Sequence, residues 1–158
     1  MRTTAVRLYG ARDLRVESFE LPELGAREVL MRVVTDSLCT STYKAVIQGS
    51  AHKRVPPDVA EHPVVIGHEM CGELVEVGSG LTDRWQVGQR VVIQPALKLE
   101  SNYDPGYSYR YVGGNMTYAV VPEIVLERGC LLPYGGDSFY KGSLVEPIGC
   151  VLRAFKGM

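Results

Sequence analysis

The chain has 158 residues, 17 Lys and Arg against 18 Asp and Glu, and a formal net charge of −1, which suits one domain and gives no basic field for nucleic acid. At 46% apolar and 22% charged residues it can bury a core, which excludes a disordered chain. A membrane-crossing helix needs about 20 consecutive apolar residues, whereas the apolar runs here are short, as in Val64-Val65-Ile66.

Short strands broken by glycine dominate the reading. Residues 4–9 form a strand that Gly10 turns, and 13–17 alternate polar and apolar side chains with a period of two, as a half-buried strand does. A third strand covers 28–35. After Cys39, residues 40–47 suit about two helical turns, with Ser41 or Thr42 as N-cap. Residues 48–62 read as a polar loop with Pro56 and Pro57. Residues 64–78 read as one long strand interrupted by Gly67 and Gly72, and 86–94 and 116–121 as further strands. Between the last two lies a loop, 97–114, rich in tyrosine. The segment 146–155 reads as a helix, with Pro147 in its first turn and Ile148, Val151, Leu152 and Phe155 at helical spacing. The arginine-punctuated start (Arg2, Arg7, Arg12, Arg15) does not read as a secretory signal.

Four cysteines, Cys39, Cys71, Cys130 and Cys150, form no closely spaced pair. Reduced thiols in a cytoplasmic protein are therefore expected, and a four-cysteine zinc knot is not.

Three segments carry candidate chemistry. Gly67-His68-Glu69-Met70-Cys71-Gly72 places a histidine beside a carboxylate, which a regular strand would point to opposite faces. The flanking glycines permit a distortion that aims both at one point; a satisfied surface pair is the alternative. Cys39 stands where a strand meets a helix, whose dipole favours a metal-binding thiolate, or else it is a small buried apolar residue. Glu146 opens the last helix as a ligand or as a simple cap. Together, one thiol, one imidazole and carboxylates suit a catalytic zinc ion that keeps one position open.

These motifs resemble the N-terminal catalytic domain of the zinc-dependent medium-chain alcohol/polyol dehydrogenases. The Gly-His-Glu signature matches at Gly67, His68, Glu69, Gly72 and Gly78, with Leu81 as a departure; the Cys-x-Ser motif matches at Cys39 and Ser41, and the Glu-Pro motif at Glu146-Pro147. Thr-Asp-Ser-Leu-Cys at 35–39 and Gly-Ser-Leu-Val-Glu-Pro at 142–147 are similar to the branch of sugar-phosphate and polyol reductases typified by L-sorbose-1-phosphate reductase. The resemblance implies a mainly β, GroES-like barrel with a few short helices over 1–158. It implies one catalytic Zn²⁺ held by Cys39, His68 and Glu146. Glu69 would be a fourth ligand or a neighbour that trades places with water, and Ser41 the first hydroxyl of a proton relay. NAD or NADP would bind a Rossmann domain that this chain does not contain. The expectation is an isolated catalytic domain without useful activity by itself, possessing a homo-oligomeric full-length form as one option.

Two departures bear on the site. Many relatives carry Asp where this chain has Thr42, so support for His68 would be weaker or come from elsewhere. No cysteine lies between 94 and 114, where many relatives hold a structural zinc, so none is expected. Gly78-Ser79-Gly80 lacks the third glycine of a dinucleotide loop and reads as a turn. Lys44, Lys53 and Arg54 are candidates for a substrate phosphate, with solvated surface charge as the alternative. Cys71, Cys130 and Cys150 are read as reduced core residues, and Tyr107 and Tyr109 as packing residues, with a cleft-lining role as the alternative. The expected reaction interconverts a sugar (phosphate) ketone and its polyol. A non-phosphorylated polyol or aldonate substrate, and a non-catalytic GroES-like interaction module, remain open alternatives; no nucleic acid or membrane partner is expected.

Overall fold

Period-two alternation folds the first twenty residues as a hairpin. In the computed structural model, which describes residues 1–157, β1 (Arg2–Gly10) pairs antiparallel with β2 (Asp13–Glu20), from Arg2↔Glu20 to Gly10↔Asp13. Met158, the last residue of the expected domain, lies outside the described residues.

The expected long strand at 64–78 is two strands in two different sheets. β4 (Val64–Val65) pairs with β1, completing a three-stranded sheet in the order β2-β1-β4. β5 (Met70–Val77) lies at the centre of a five-stranded sheet with β3 (Val29–Asp36), β6 (Arg90–Ile93), β7 (Tyr118–Val121) and β8 (Leu131–Pro133), in the order β7-β3-β5-β6-β8. Gly67 makes the crossing: its φ is +91°, a region that costs a side chain strain. Gly72 has a different use. A Cβ there would overlap the Arg32 carbonyl of β3, so glycine lets the central ladder close. The turn read at 78–80 is present, with Leu81 N donating to Gly78 O at 2.9 Å.

The sheets share one core. Ala5 from β1 packs in a cluster with Val29, Met31, Leu74, Val91 and Val121 of the larger sheet, and an isolated antiparallel bridge links Ala5 to Met116, just before β7. A smaller cluster unites Leu8, Val64 and Ile66 with Ala45 of α1 (Thr40–Gln48) and with Val55, Val59 and Tyr107. The loop at 48–62 is thus less polar in its packing than in its composition, since it buries Val55 and Val59 and opens with a 3-10 turn, Gly49–Ala51.

Three short elements carried no periodic signal: β8, α2 (Glu123–Glu127) and α3 (Phe139–Ser143), of three, five and five residues. The last helix, α4 (Val145–Lys156), forms where spacing placed it, but no described residue of it is buried. Ile148, Val151, Leu152 and Phe155 are 54–70% exposed. Cys150 is exposed too, which corrects its reading as a core residue; Cys71 and Cys130 are buried and all four cysteines are free. No described helix is long and apolar enough to cross a membrane.

Candidate metal centre

Cys39 is the N-cap of α1, with extended backbone (φ −104°, ψ 138°) and no side-chain cap bond. Its half-buried side chain lines a cavity at the strand–helix junction. Sγ lies 3.0 Å from Ser41 Oγ, on the second residue of the helix.

His68 and Glu69 occupy the crossing between the sheets, and each is only 4% exposed, so they are not a surface pair. Asp36, at the end of β3, holds the crossing. Its Oδ1 accepts from Glu69 N at 2.9 Å and its Oδ2 from Asn115 Nδ2 at 2.7 Å. Burial pushes Asp36 up to about 7, the Glu69 N–H opposing and the Glu69 charge reinforcing the rise. A Cβ on Gly67 would strike this carboxylate and Asn115. The Ser37 hydroxyl lies 2.5 Å from Glu69 Oε2 and 3.0 Å from Ser143 O. It thereby ties Glu69 to the segment that leads into α4.

The His68 ring is fixed at both nitrogens. Thr42 Oγ1 lies 3.0 Å from Nδ1, so the expected gap in support is filled by a neutral hydroxyl in place of a carboxylate. Ser41 Oγ and Tyr107 OH lie 3.3 and 3.2 Å from Nε2. Burial lowers His68 to about 4, Glu69 opposing and Arg54 adding to the fall. The imidazole is therefore neutral at pH 7, the form that binds a metal. Tyr107, read from the sequence as packing, is 2% exposed and reaches the site with its hydroxyl, 2.6 Å from Ser41 Oγ. Burial pushes it up to about 12, so it stays a phenol.

One ligand atom from each of Cys39, His68 and Glu69 lies within 4.8 Å of the other two. Glu146, in the first turn of α4, stands outside that trio but lines the same cavity of about 550 Å³, together with Ser41 and Arg54. Burial raises its pKa; a bond from Cys150 Sγ (3.3 Å) opposes this and the nearby Glu69 charge reinforces it. A thiol, a neutral imidazole and two adjacent carboxylates around an open cavity fit a zinc ion, which would relieve the carboxylates' mutual repulsion. Lys44 and Lys53 are exposed and do not line the cavity, whereas Arg54 does, as does Arg153 of α4. Tyr107, Asp104 and Arg153 carried no motif. Their approach depends on how the loop at 97–114 and helix α4 return to the sheets.

An alcohol dehydrogenase GroES-like domain matches residues 25–129. The chain belongs to that family. This GroES-like domain is 53% identical over 154 residues to L-sorbose 1-phosphate reductase of Klebsiella pneumoniae, covering 97% of the chain and 38% of that protein. It is 46% identical over 154 residues to mannitol-1-phosphate 5-dehydrogenase of Aliivibrio fischeri, covering 98% of the chain and 36% of the relative. Among solved structures it is similar to 2R,3R-butanediol dehydrogenase from Bacillus subtilis, with 28% identity and a TM-score of 0.69 over 92% of this chain and 44% of that one. The domain thus spans 36–38% of the length of the two curated relatives. The zinc-dependent medium-chain alcohol/polyol dehydrogenase resemblance and the mainly β, GroES-like fold both hold.

Proposed function

We propose that this domain carries the metal and substrate site of a zinc-dependent NAD(P) oxidoreductase that interconverts a ketose phosphate and its polyol phosphate. The observation that carries the reading is the convergence of Cys39, His68 and Glu69 within 4.8 Å at the cavity. Cys39, His68 and Glu146 would hold the ion, with Glu69 as a fourth ligand or as a neighbour that exchanges with water.

When bound, zinc supplies Lewis acidity at the substrate oxygen and the nicotinamide supplies the hydride acceptor or donor. The chain's own residues manage the proton and the orientation. Ser41 Oγ, held between Cys39 Sγ at 3.0 Å and Tyr107 OH at 2.6 Å, is the first hydroxyl of a proton relay: in oxidation it accepts the carbinol proton while handing its own on toward solvent water, and in reduction the transfer runs back. Thr42 at Nδ1 fixes the His68 ring, and the Asp36 and Ser37 contacts fix Glu69. By itself the 158-residue chain is proposed to lack useful turnover, because it contains no glycine-rich dinucleotide loop.

A non-phosphorylated polyol is the second reading, favoured by the position of Lys44 and Lys53 outside the cavity. The test is turnover by the zinc-loaded full-length protein with NAD(H) and NADP(H). L-sorbose 1-phosphate and mannitol 1-phosphate are compared with L-sorbose and mannitol. Reduction or oxidation of a phosphorylated substrate, abolished by chelator and restored by zinc, is expected. Turnover of the unphosphorylated sugars alone supports the second reading, and no turnover of any of them contradicts both.

A further inference from the structure

One cation at the cavity is anchored in an oriented pose. Arg54 Nε donates to Asp104 Oδ2 at 2.8 Å, and its carbonyl accepts from the Ser108 hydroxyl at 2.5 Å. Its guanidinium carbon stands 5.1 Å from the Tyr107 ring centroid. The anchor is itself fixed. Asp104 is 6% exposed, its Oδ1 accepts from Leu97 N at 2.9 Å, and its own N–H donates to Ser108 Oγ at 3.0 Å.

None of these contacts uses the outer edge of the guanidinium. Among the described residues, neither Nη1 nor Nη2 of Arg54 has a protein hydrogen-bond partner, while the side chain lines the cavity that holds Cys39, His68 and Glu69. Tyr107 connects the two ends of the site, since its hydroxyl lies 3.2 Å from His68 Nε2 and its ring carries Arg54. A single phenol therefore spans the gap between the guanidinium and the imidazole. A guanidinium pinned through Nε presents two parallel N–H donors, which match two oxygens of a phosphate better than a lone ammonium does. Lys53 and Lys44 add positive charge nearby: burial lowers His52, and the charges of Arg54, Lys53 and Lys44 lower it further.

We propose that Arg54 reads the phosphate of the substrate. Its Nη pair binds two oxygens of a sugar or polyol phosphate monoester whose reacting carbon lies at Cys39, His68 and Glu69. Asp104 is the positioning residue that turns this fork toward the cavity. The proposal rests on the ketose-phosphate reading and deepens it by naming the residue that selects the phosphate.

The test compares kcat/KM for L-sorbose 1-phosphate with that for L-sorbose in the full-length, zinc-loaded protein. Arg54→Lys keeps the charge beside Asp104 and removes the fork, so folding is preserved. The preference for the phosphorylated sugar should fall roughly 10- to 100-fold, as expected for lost charge-assisted hydrogen bonds. Lys44→Ala, which removes an exposed cation outside the cavity, should leave the preference within about threefold of wild type. A preference unchanged in Arg54→Lys, or lost in Lys44→Ala alone, overturns the assignment while leaving the ketose-phosphate reading intact. Calorimetric titration with inorganic phosphate decides the matter even if neither sugar turns over. Binding by wild type that Arg54→Lys weakens supports the subsite, and binding that is absent or equal in both proteins overturns it.

Discussion

His68 and Glu69, on the sheet side of the cavity, are each 4% exposed, whereas Glu146, on the helix side, belongs to an element with no described buried residue. The sheet side is fixed from behind by Asp36, Ser37, Thr42 and Tyr107. The helix side meets it through a short segment, where Ser143 O lies 3.0 Å from the Ser37 hydroxyl. Three potential ligands are thus positioned by the same packing that closes the core, and the fourth rides on a helix that contributes little to it. The trio is therefore held mainly from the sheet side, while Glu146 approaches it from α4, where Cys150 Sγ donates to it at 3.3 Å.

The largest expected difference between the two sides lies in stability. Gly67→Ala places a Cβ against the Asp36 carboxylate at a φ of +91°. It should cost about 3 kcal/mol or more in urea unfolding. Ligand support comes next. Thr42→Val removes the hydroxyl beside His68 Nδ1 and should weaken zinc binding about 10- to 100-fold in a chelator competition, with the fold retained.

Thiol chemistry should separate the sides without any mutation. At pH 8, iodoacetamide followed by mass spectrometry should find Cys39 and Cys150 modified before the two buried cysteines, although burial and the Glu146 carboxylate raise the Cys150 thiol. Cys71, which burial pushes up to about 11, stays a thiol there. It should react only after denaturation, together with buried Cys130. The smallest effect belongs to the exposed face of α4. Ile148→Ala should shift unfolding by no more than about 0.5 kcal/mol. Equal costs for Gly67→Ala and Ile148→Ala would break the contrast.

The same contrast sets what could be read in advance. Gly-flanked His68-Glu69 and Cys39 at a strand–helix junction announce themselves locally, because each rests on a neighbouring residue type. The split of 64–78 between two sheets does not. Apolar residues lead up to Gly67 and resume at Met70, and the positive φ of Gly67 sends β5 away from β4. Asp104, and the role of Tyr107 beyond a cleft-lining alternative, were out of reach for another reason. Both residues lie in a loop without periodicity, and the partners Ser41 of Tyr107 and Arg54 of Asp104 are 66 and 50 residues away. For α4, helical spacing gave the helix correctly, but spacing carries no information about whether its apolar face meets a partner.

The central claim is that one divalent ion binds where Cys39, His68 and Glu69 converge, with Cys39, His68 and Glu146 as its proposed ligands and Glu69 as a fourth ligand or an exchanging neighbour. Titrating the metal-free protein with Co²⁺ while recording absorbance tests it most directly, because a thiolate ligand gives a ligand-to-metal charge-transfer band. One ion per chain with that band, lost in Cys39→Ser, is the expected result. Binding well below one ion per chain, or a spectrum that Cys39→Ser leaves unchanged, would contradict it.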